Sequence, residues 1–144
     1  MLALRFAGCA VPKSGRRKET VTQETRILLV EDDPLFMKLV TSMLLTRNYQ
    51  VAGVGSAEEA LDSLKQASFD LLLTDLKMEG IGGVGLLRSL LSDQPFPRNR
   101  IIVITGEPQT SEDSLWVESL GIPILRKPFM LKGLFDSIDA VLRS

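Results

Sequence analysis

The sequence predicts an α/β domain, a five-stranded parallel sheet, doubly wound, with five helices on its two faces. Three observations carry this expectation. The runs Ile27-Leu28-Leu29-Val30, Leu71-Leu72-Leu73 and Ile101-Ile102-Val103-Ile104 are short, apolar and flanked by polar residues, as strands buried on both faces of a sheet are. Segments with apolar residues at helical spacing lie between them. The two kinds of segment alternate without a repeat, which calls for right-handed crossovers and helices above and below one sheet.

Taken in order, the first strand stops at Glu31-Asp32-Asp33, and Pro34 stands where a helix accepts proline, at its first position. Leu35, Phe36, Leu39, Val40, Met43, Leu44 and Leu45 then recur at helical spacing. Tyr49 to Val54 reads as a second strand. Ser56-Ala57-Glu58-Glu59 is a capping box, followed by Ala60, Leu61 and Leu64 on the inner face of a second helix. The third strand ends at Asp75. A loop rich in glycine, Gly80, Gly82 and Gly83, leads into a helix marked by Val84, Leu86, Leu87, Leu90 and Leu91, which Pro95 and Pro97 close. The fourth strand ends at Thr105-Gly106, and a helix from about Thr110 to Leu120 follows. Ile122-Pro123-Ile124-Leu125 reads as a fifth strand at the sheet edge, because Pro123 donates no ladder hydrogen bond. Leu131, Leu134, Phe135, Ile138 and Val141 share one side of a last helix.

Composition narrows the chemistry. At 144 residues with 44% apolar residues, one ordinary domain is expected. There is no histidine and one cysteine, Cys9, so histidine catalysis, histidine zinc sites and an internal disulfide are excluded. Residues 1–24 lack periodicity and carry Arg5, Lys13, Arg16, Arg17 and Lys18, which suggests a flexible basic arm ahead of a domain over 25–144. The net acidic remainder argues against a broadly basic nucleic-acid binder. Arg5 interrupts a leading apolar stretch already too short for a signal peptide, and no run could cross a bilayer, so a cytoplasmic protein without membrane association is expected.

In open α/β sheets, ligands bind outside the carboxyl ends of the strands. The residues expected there are Glu31, Asp32 and Asp33, then Asp75, Thr105 and Lys127. Each has an ordinary reading: Asp75 as a turn cap, Glu31-Asp32-Asp33 as a helix-capping turn, Lys127 as a solvated surface group, Thr105 as a strand former. Converging on one rim, the carboxylates would repel one another unless a cation joined them. Oxygen-only ligands suit Mg²⁺, expected between Asp32 and Asp75. An aspartate in that position can act as a nucleophile toward phosphorus, with the Lys127 ammonium and the Thr105 hydroxyl available to the phosphoryl oxygens.

Val30-Glu31-Asp32-Asp33-Pro34, Leu73-Thr74-Asp75, Val103-Ile104-Thr105-Gly106 and Leu125-Arg126-Lys127-Pro128-Phe129 resemble the four signatures of the response-regulator receiver domain of two-component signalling. The resemblance covers about residues 26–143. It implies a flavodoxin-like sheet of order 2-1-3-4-5 and a Mg²⁺-dependent switch that works on its own. Asp75 resembles the phospho-acceptor, Asp32 the direct metal ligand, Glu31 its water-linked partner, and Lys77 the donor of a backbone carbonyl to the ion. Thr105 and Lys127 take the phosphate-sensing roles. The implied partners are a sensor histidine kinase or histidine phosphotransfer protein, and a downstream protein that reads the fourth helix, fifth strand and fifth helix. Two departures stand out: Glu79 where many receivers have proline, and Ile124 where an aromatic residue is expected. Lys77 and Glu107 occupy positions that tune dephosphorylation in the family, and their opposite charges suggest a shielded phosphoaspartate. A degenerate receiver acting as a phosphorylation-independent interaction module is the competing reading. A flavodoxin-like cofactor binder is a third, but the acidic residues after the first strand would repel a cofactor phosphate.

Overall fold

The computed structural model describes residues 6–7, 24–93 and 95–143. The expected basic arm therefore lies outside the described residues, apart from Phe6, Ala7 and Glu24. Twelve elements follow one another: β1 (Phe6–Ala7), β2 (Arg26–Val30), α1 (Pro34–Leu45), β3 (Gln50–Val54), α2 (Ala57–Gln66), β4 (Leu71–Asp75), α3 (Gly82–Ser92), a 3-10 turn (Arg98–Arg100), β5 (Ile101–Thr105), α4 (Glu112–Ser119), β6 (Ile124–Arg126) and α5 (Leu131–Arg143). The sheet order is β1-β3-β2-β4-β5-β6. Strands β2 to β6 are parallel, and counted among themselves they run 2-1-3-4-5, as the sequence and its resemblance imply. Strand β1 was not foreseen. It pairs antiparallel with β3, Phe6 opposite Ala52 and Ala7 opposite Val51.

Two apolar layers cover the sheet. Leu28, Val30, Leu72, Ile101 and Val103 meet Ala57 and Ala60 of α2, Leu86, Leu87 and Leu90 of α3 and Val117 of α4. On the other face, Ile27, Leu29, Leu71, Leu73, Ile102 and Ile104 meet Val40 and Leu44 of α1 and Leu134, Phe135, Ile138 and Val141 of α5. Strand β4 is buried along its whole length, so its end is fixed by fully buried leucines on both faces, each contributing about 1.5–3 kcal/mol.

The local signals hold with small displacements. Asp33 caps α1, its Oδ1 accepting from the Leu35 N–H at 3.0 Å, with Pro34 in the first turn. Ser56 Oγ accepts from the Glu59 N–H, and Glu59 Oε1 accepts in return from the Gly55 N–H. Strand β6 begins at Ile124, later than expected, because Pro123 lacks an N–H; its carbonyl still accepts from the Val103 N–H at 2.9 Å. Leu35 and Leu39 are 77% and 50% exposed, so the apolar set of α1 is wider than the face that packs.

Helix α3 starts at Gly82, and its first turn lies against the end of β4. A Cβ on Gly83 would fall 1.8 Å from the Asp75 carbonyl oxygen and 2.7 Å from Leu76 Cα, both backbone atoms that no rotamer change can move. Gly83→Ala is accordingly expected to lower stability by at least about 1–3 kcal/mol, read as a fall in the urea midpoint. An unchanged midpoint would contradict this packing.

Candidate functional site

The sheet topology creates the site. The chain runs from β2 outward to β3, then returns to the opposite side of β2 as β4, leaving a crevice at the carboxyl ends of β2 and β4. Val30 pairs with Thr74, which sets Glu31 and Asp75 side by side as the two strands end. Ile104 pairs with Asp75 and Arg126 with Thr105, so Thr105 and Lys127 reach the same rim from β5 and β6. The Lys127 N–H donates to the Thr105 carbonyl at 2.9 Å, tying the end of β6 to the end of β5.

One ammonium joins the two acids. Lys127 Nζ lies 2.8 Å from Asp75 Oδ2 and 3.3 Å from Glu31 Oε1. Glu31 and Asp75 are only 4% and 6% exposed. The second oxygen of each acid is held by its own loop: Asp75 Oδ1 accepts from the Lys77 N–H at 3.3 Å, and Glu31 Oε2 accepts from the Asp33 N–H at 3.0 Å. Thr105, fully buried, follows the same pattern, its Oγ accepting from the Glu107 N–H at 3.0 Å. Above this rim, Lys77 Nζ stands 3.6 Å from Glu107 Oε2.

Burial pushes the Glu31 carboxyl above its ordinary range, and the Asp75 charge pushes the same way; the Asp33 N–H and Lys127 oppose them without winning. Burial alone would pull Lys127 down, but its hydrogen bond to Asp75 and the charges of Asp75 and Glu31 outweigh it. The ammonium is therefore held above the ordinary lysine value and stays charged at neutral pH.

Of the expected residues, the fold brings Glu31, Asp75, Thr105 and Lys127 to one rim, with Lys77 beside them. Asp33 serves the helix as a cap. The Asp32 carboxylate is exposed and pairs with none of the described residues. Among the described residues no three acidic side chains form a ready-made cage for a metal. The donor set nevertheless fits Mg²⁺, which keeps several waters and needs only one or two carboxylates. Two buried acids share a single ammonium, and exposed Asp32 directly follows Glu31 in the chain, leaving hard oxygen donors with negative charge in excess.

Two contacts at the rim escaped the sequence reading. Lys127 Nζ lies 4.2 Å from the centroid of the Phe36 ring, and that ring meets Phe129 edge-on at 5.8 Å. Arg126 Nη1 donates to the Glu107 carbonyl at 2.6 Å and approaches Ser114 Oγ at 3.4 Å. The one available signal for Arg126 was a charged residue inside an otherwise apolar strand.

An acid-rich rim at the switch point of a doubly wound parallel sheet, with a lysine bridging its carboxylates, defines the receiver class of α/β protein. The chain belongs to the response-regulator receiver family, whose domain model matches residues 27–139. It is 32% identical over 122 residues to the DNA-binding response regulator MtrA of Mycolicibacterium smegmatis, covering 85% of this chain and 52% of that one. The chain thus spans about half the length of the curated relatives it matches. Among solved structures, the receiver domain of the sensor histidine kinase PA1611 from Pseudomonas aeruginosa is 26% identical with a TM-score of 0.75, covering 85% of this chain and all of that one; its crystal structure holds a magnesium ion in the active-site cleft. The chemotaxis protein CheY4 of Vibrio cholerae is 25% identical with a TM-score of 0.71, covering 83% of this chain and all of that one.

A raised Glu31 pKa has a definite sign for stability. The protonated form is favoured by folding, so this group's contribution is complete below its unfolded value of 4.5 and is lost as pH rises through the higher folded value. In chelator-containing buffer, Glu31→Gln is expected to remove that loss, so the urea midpoints of variant and parent diverge above pH 4.5 in favour of the variant. Parallel pH curves would refute the burial of a strained carboxyl.

Proposed function

We propose that this receiver is a phospho-accepting signalling switch in which Asp75 takes a phosphoryl group from the phosphohistidine of a sensor histidine kinase or histidine phosphotransfer protein. The observation that supports it most is the Lys127 ammonium at 2.8 Å from Asp75 and 3.3 Å from Glu31, a cation placed where new negative charge would arrive. A carboxylate oxygen of Asp75 attacks phosphorus; the P–O bond forms as the P–N bond breaks, and the electron pair leaves with the histidine nitrogen. Lys127 then shares its charge with the phosphoryl oxygens. The Thr105 hydroxyl, an acceptor toward the Glu107 N–H, has its own hydrogen available for another of them. Glu31, Asp32, Asp75 and the Lys77 carbonyl are assigned to Mg²⁺, which when bound offsets the charge on the transferring group.

Such a molecule is a regulator before it is an enzyme, although it promotes its own phosphorylation and dephosphorylation. We assign its output to a downstream protein that reads α4, β6 and α5, with no nucleic acid as direct partner, and place the exchange in the cytoplasm. The Lys77–Glu107 pair adds a property of this chain. Its two charges stand 3.6 Å apart beside Asp75, where they obstruct a water approaching phosphorus.

Incubation with Mg²⁺ and acetyl phosphate, followed by intact mass, is expected to add one phosphoryl group to the parent chain and none to Asp75→Asn. Chelation should abolish the addition. If the parent gains no mass and binds no phosphoryl analogue, the phosphorylation-independent interaction module becomes the better reading. In the phosphorylated protein, Lys77→Ala is expected to speed phosphate loss severalfold, a modest effect because an exposed pair contributes only about 0–1 kcal/mol. An unchanged or slower loss contradicts the shield.

A further inference from the structure

Glu107 is a junction. Its N–H is bound to Thr105 Oγ at 3.0 Å, its carbonyl to Arg126 Nη1 at 2.6 Å, and its carboxylate to Lys77 Nζ at 3.6 Å. Arg126 in turn stands directly opposite Thr105 in the β5–β6 ladder. Residues paired in register share one face of a sheet, so both side chains project toward the layer that holds α4. There the same Arg126 nitrogen lies 3.4 Å from Ser114 Oγ, a hydroxyl fully buried in α4. A set of polar contacts therefore runs from the end of β5 through the backbone of one residue, Glu107, and one guanidinium into a helix.

We propose that Arg126 is the positioning residue that carries the phosphorylation state of Asp75 to α4, acting through the Glu107 carbonyl and the Ser114 hydroxyl. The inference rests on the function proposed above. If Thr105 turns its hydroxyl to a phosphoryl oxygen, the geometry of its acceptance from the Glu107 N–H changes. The Glu107 N–H and carbonyl belong to successive peptide planes that meet at its Cα, so a displacement of the residue as its N–H follows Thr105 carries its carbonyl with it. A guanidinium with several donors in a fixed plane cannot follow that carbonyl and keep Ser114 in the same place. Helix α4 is suited to respond: it has only eight residues, and of these only Ser114 and Val117 are buried. An aliphatic residue at 124, packed against the core, has no polar group with which to make such a link.

The test uses the full chain, with Mg²⁺ and beryllofluoride as the phosphoryl mimic and backbone amide NMR shifts as the readout. In the parent, the mimic should shift Lys77 and Glu107 and also the amides of Glu112–Ser119. In Arg126→Met the mimic should bind with unchanged midpoint and shift Lys77 as before, while the α4 displacement falls by about threefold or more, and Ser114→Ala should show the same split. A general loss of packing would weaken both responses together. Full-sized α4 shifts at equal occupancy in Arg126→Met overturn the proposal; should that variant not fold, full-sized shifts in Ser114→Ala overturn it. A parent indistinguishable from Asp75→Asn, with no shift anywhere, overturns instead the phospho-acceptor reading on which the proposal stands.

Discussion

Two buried carboxylates and one partly exposed ammonium constrain everything around them. Unit charges about 4 Å apart at an effective dielectric near 20 interact by about 4 kcal/mol, a large share of the roughly 5–15 kcal/mol by which a domain is stable. Glu31 and Asp75 are buried and drawn to the same nitrogen, and the upward displacement of the Glu31 carboxyl expresses first its burial and then the part of the Asp75 repulsion that remains. The remainder of the fold has to hold this arrangement against relaxation. It does so with strands whose interiors admit no alternative position.

That explains why the three groups arrive on three strand ends and not on one loop. Strand β4 delivers Asp75 from between β2 and β5, sealed on both faces; β2 delivers Glu31 on one side, and β6 delivers Lys127 from beyond β5. Helix α1 contributes the face of Phe36 beneath the ammonium, and Phe129 braces that ring from the side. Gly83 lets α3 begin in contact with the Asp75 backbone. Each is a packing feature whose effect is felt as electrostatics.

The parallel sheet and the four strand-end groups could be read from the sequence, because a buried parallel strand is an uninterrupted apolar run and its end is abrupt, whereas the strand order followed only from the family resemblance. Pairwise contacts between distant segments could not. Nothing in the neighbourhood of Phe36 announces Lys127, and nothing near Arg126 announces Ser114; such pairs follow from register and helix rotation, which hydrophobic pattern leaves open. Three consecutive acids could not be sorted either, since one turn sends Glu31 inward, leaves Asp32 in solvent and spends Asp33 on a helix cap. Two-residue β1 has no periodicity to detect. Leu35 and Leu39 satisfy the helical spacing yet remain exposed, because spacing identifies a stripe and not its packed width.

The strand-end residues share one local device. Glu31, Asp75 and Thr105 each accept a hydrogen bond from the backbone N–H two positions later, the local device by which short polar side chains form turns. For both acids, that bond occupies one oxygen and leaves the other directed to Lys127. For Thr105 it occupies a lone pair and leaves the hydrogen free. The turn therefore fixes where each of these side chains points, and the loop that begins there is bonded to that same side chain. On the function proposed above, new charge at the Asp75 carboxylate would alter its hold on the Lys77 N–H, and a Thr105 hydroxyl turned to a phosphoryl oxygen would alter its hold on the Glu107 N–H, so each loop is bonded to the side chain it would follow.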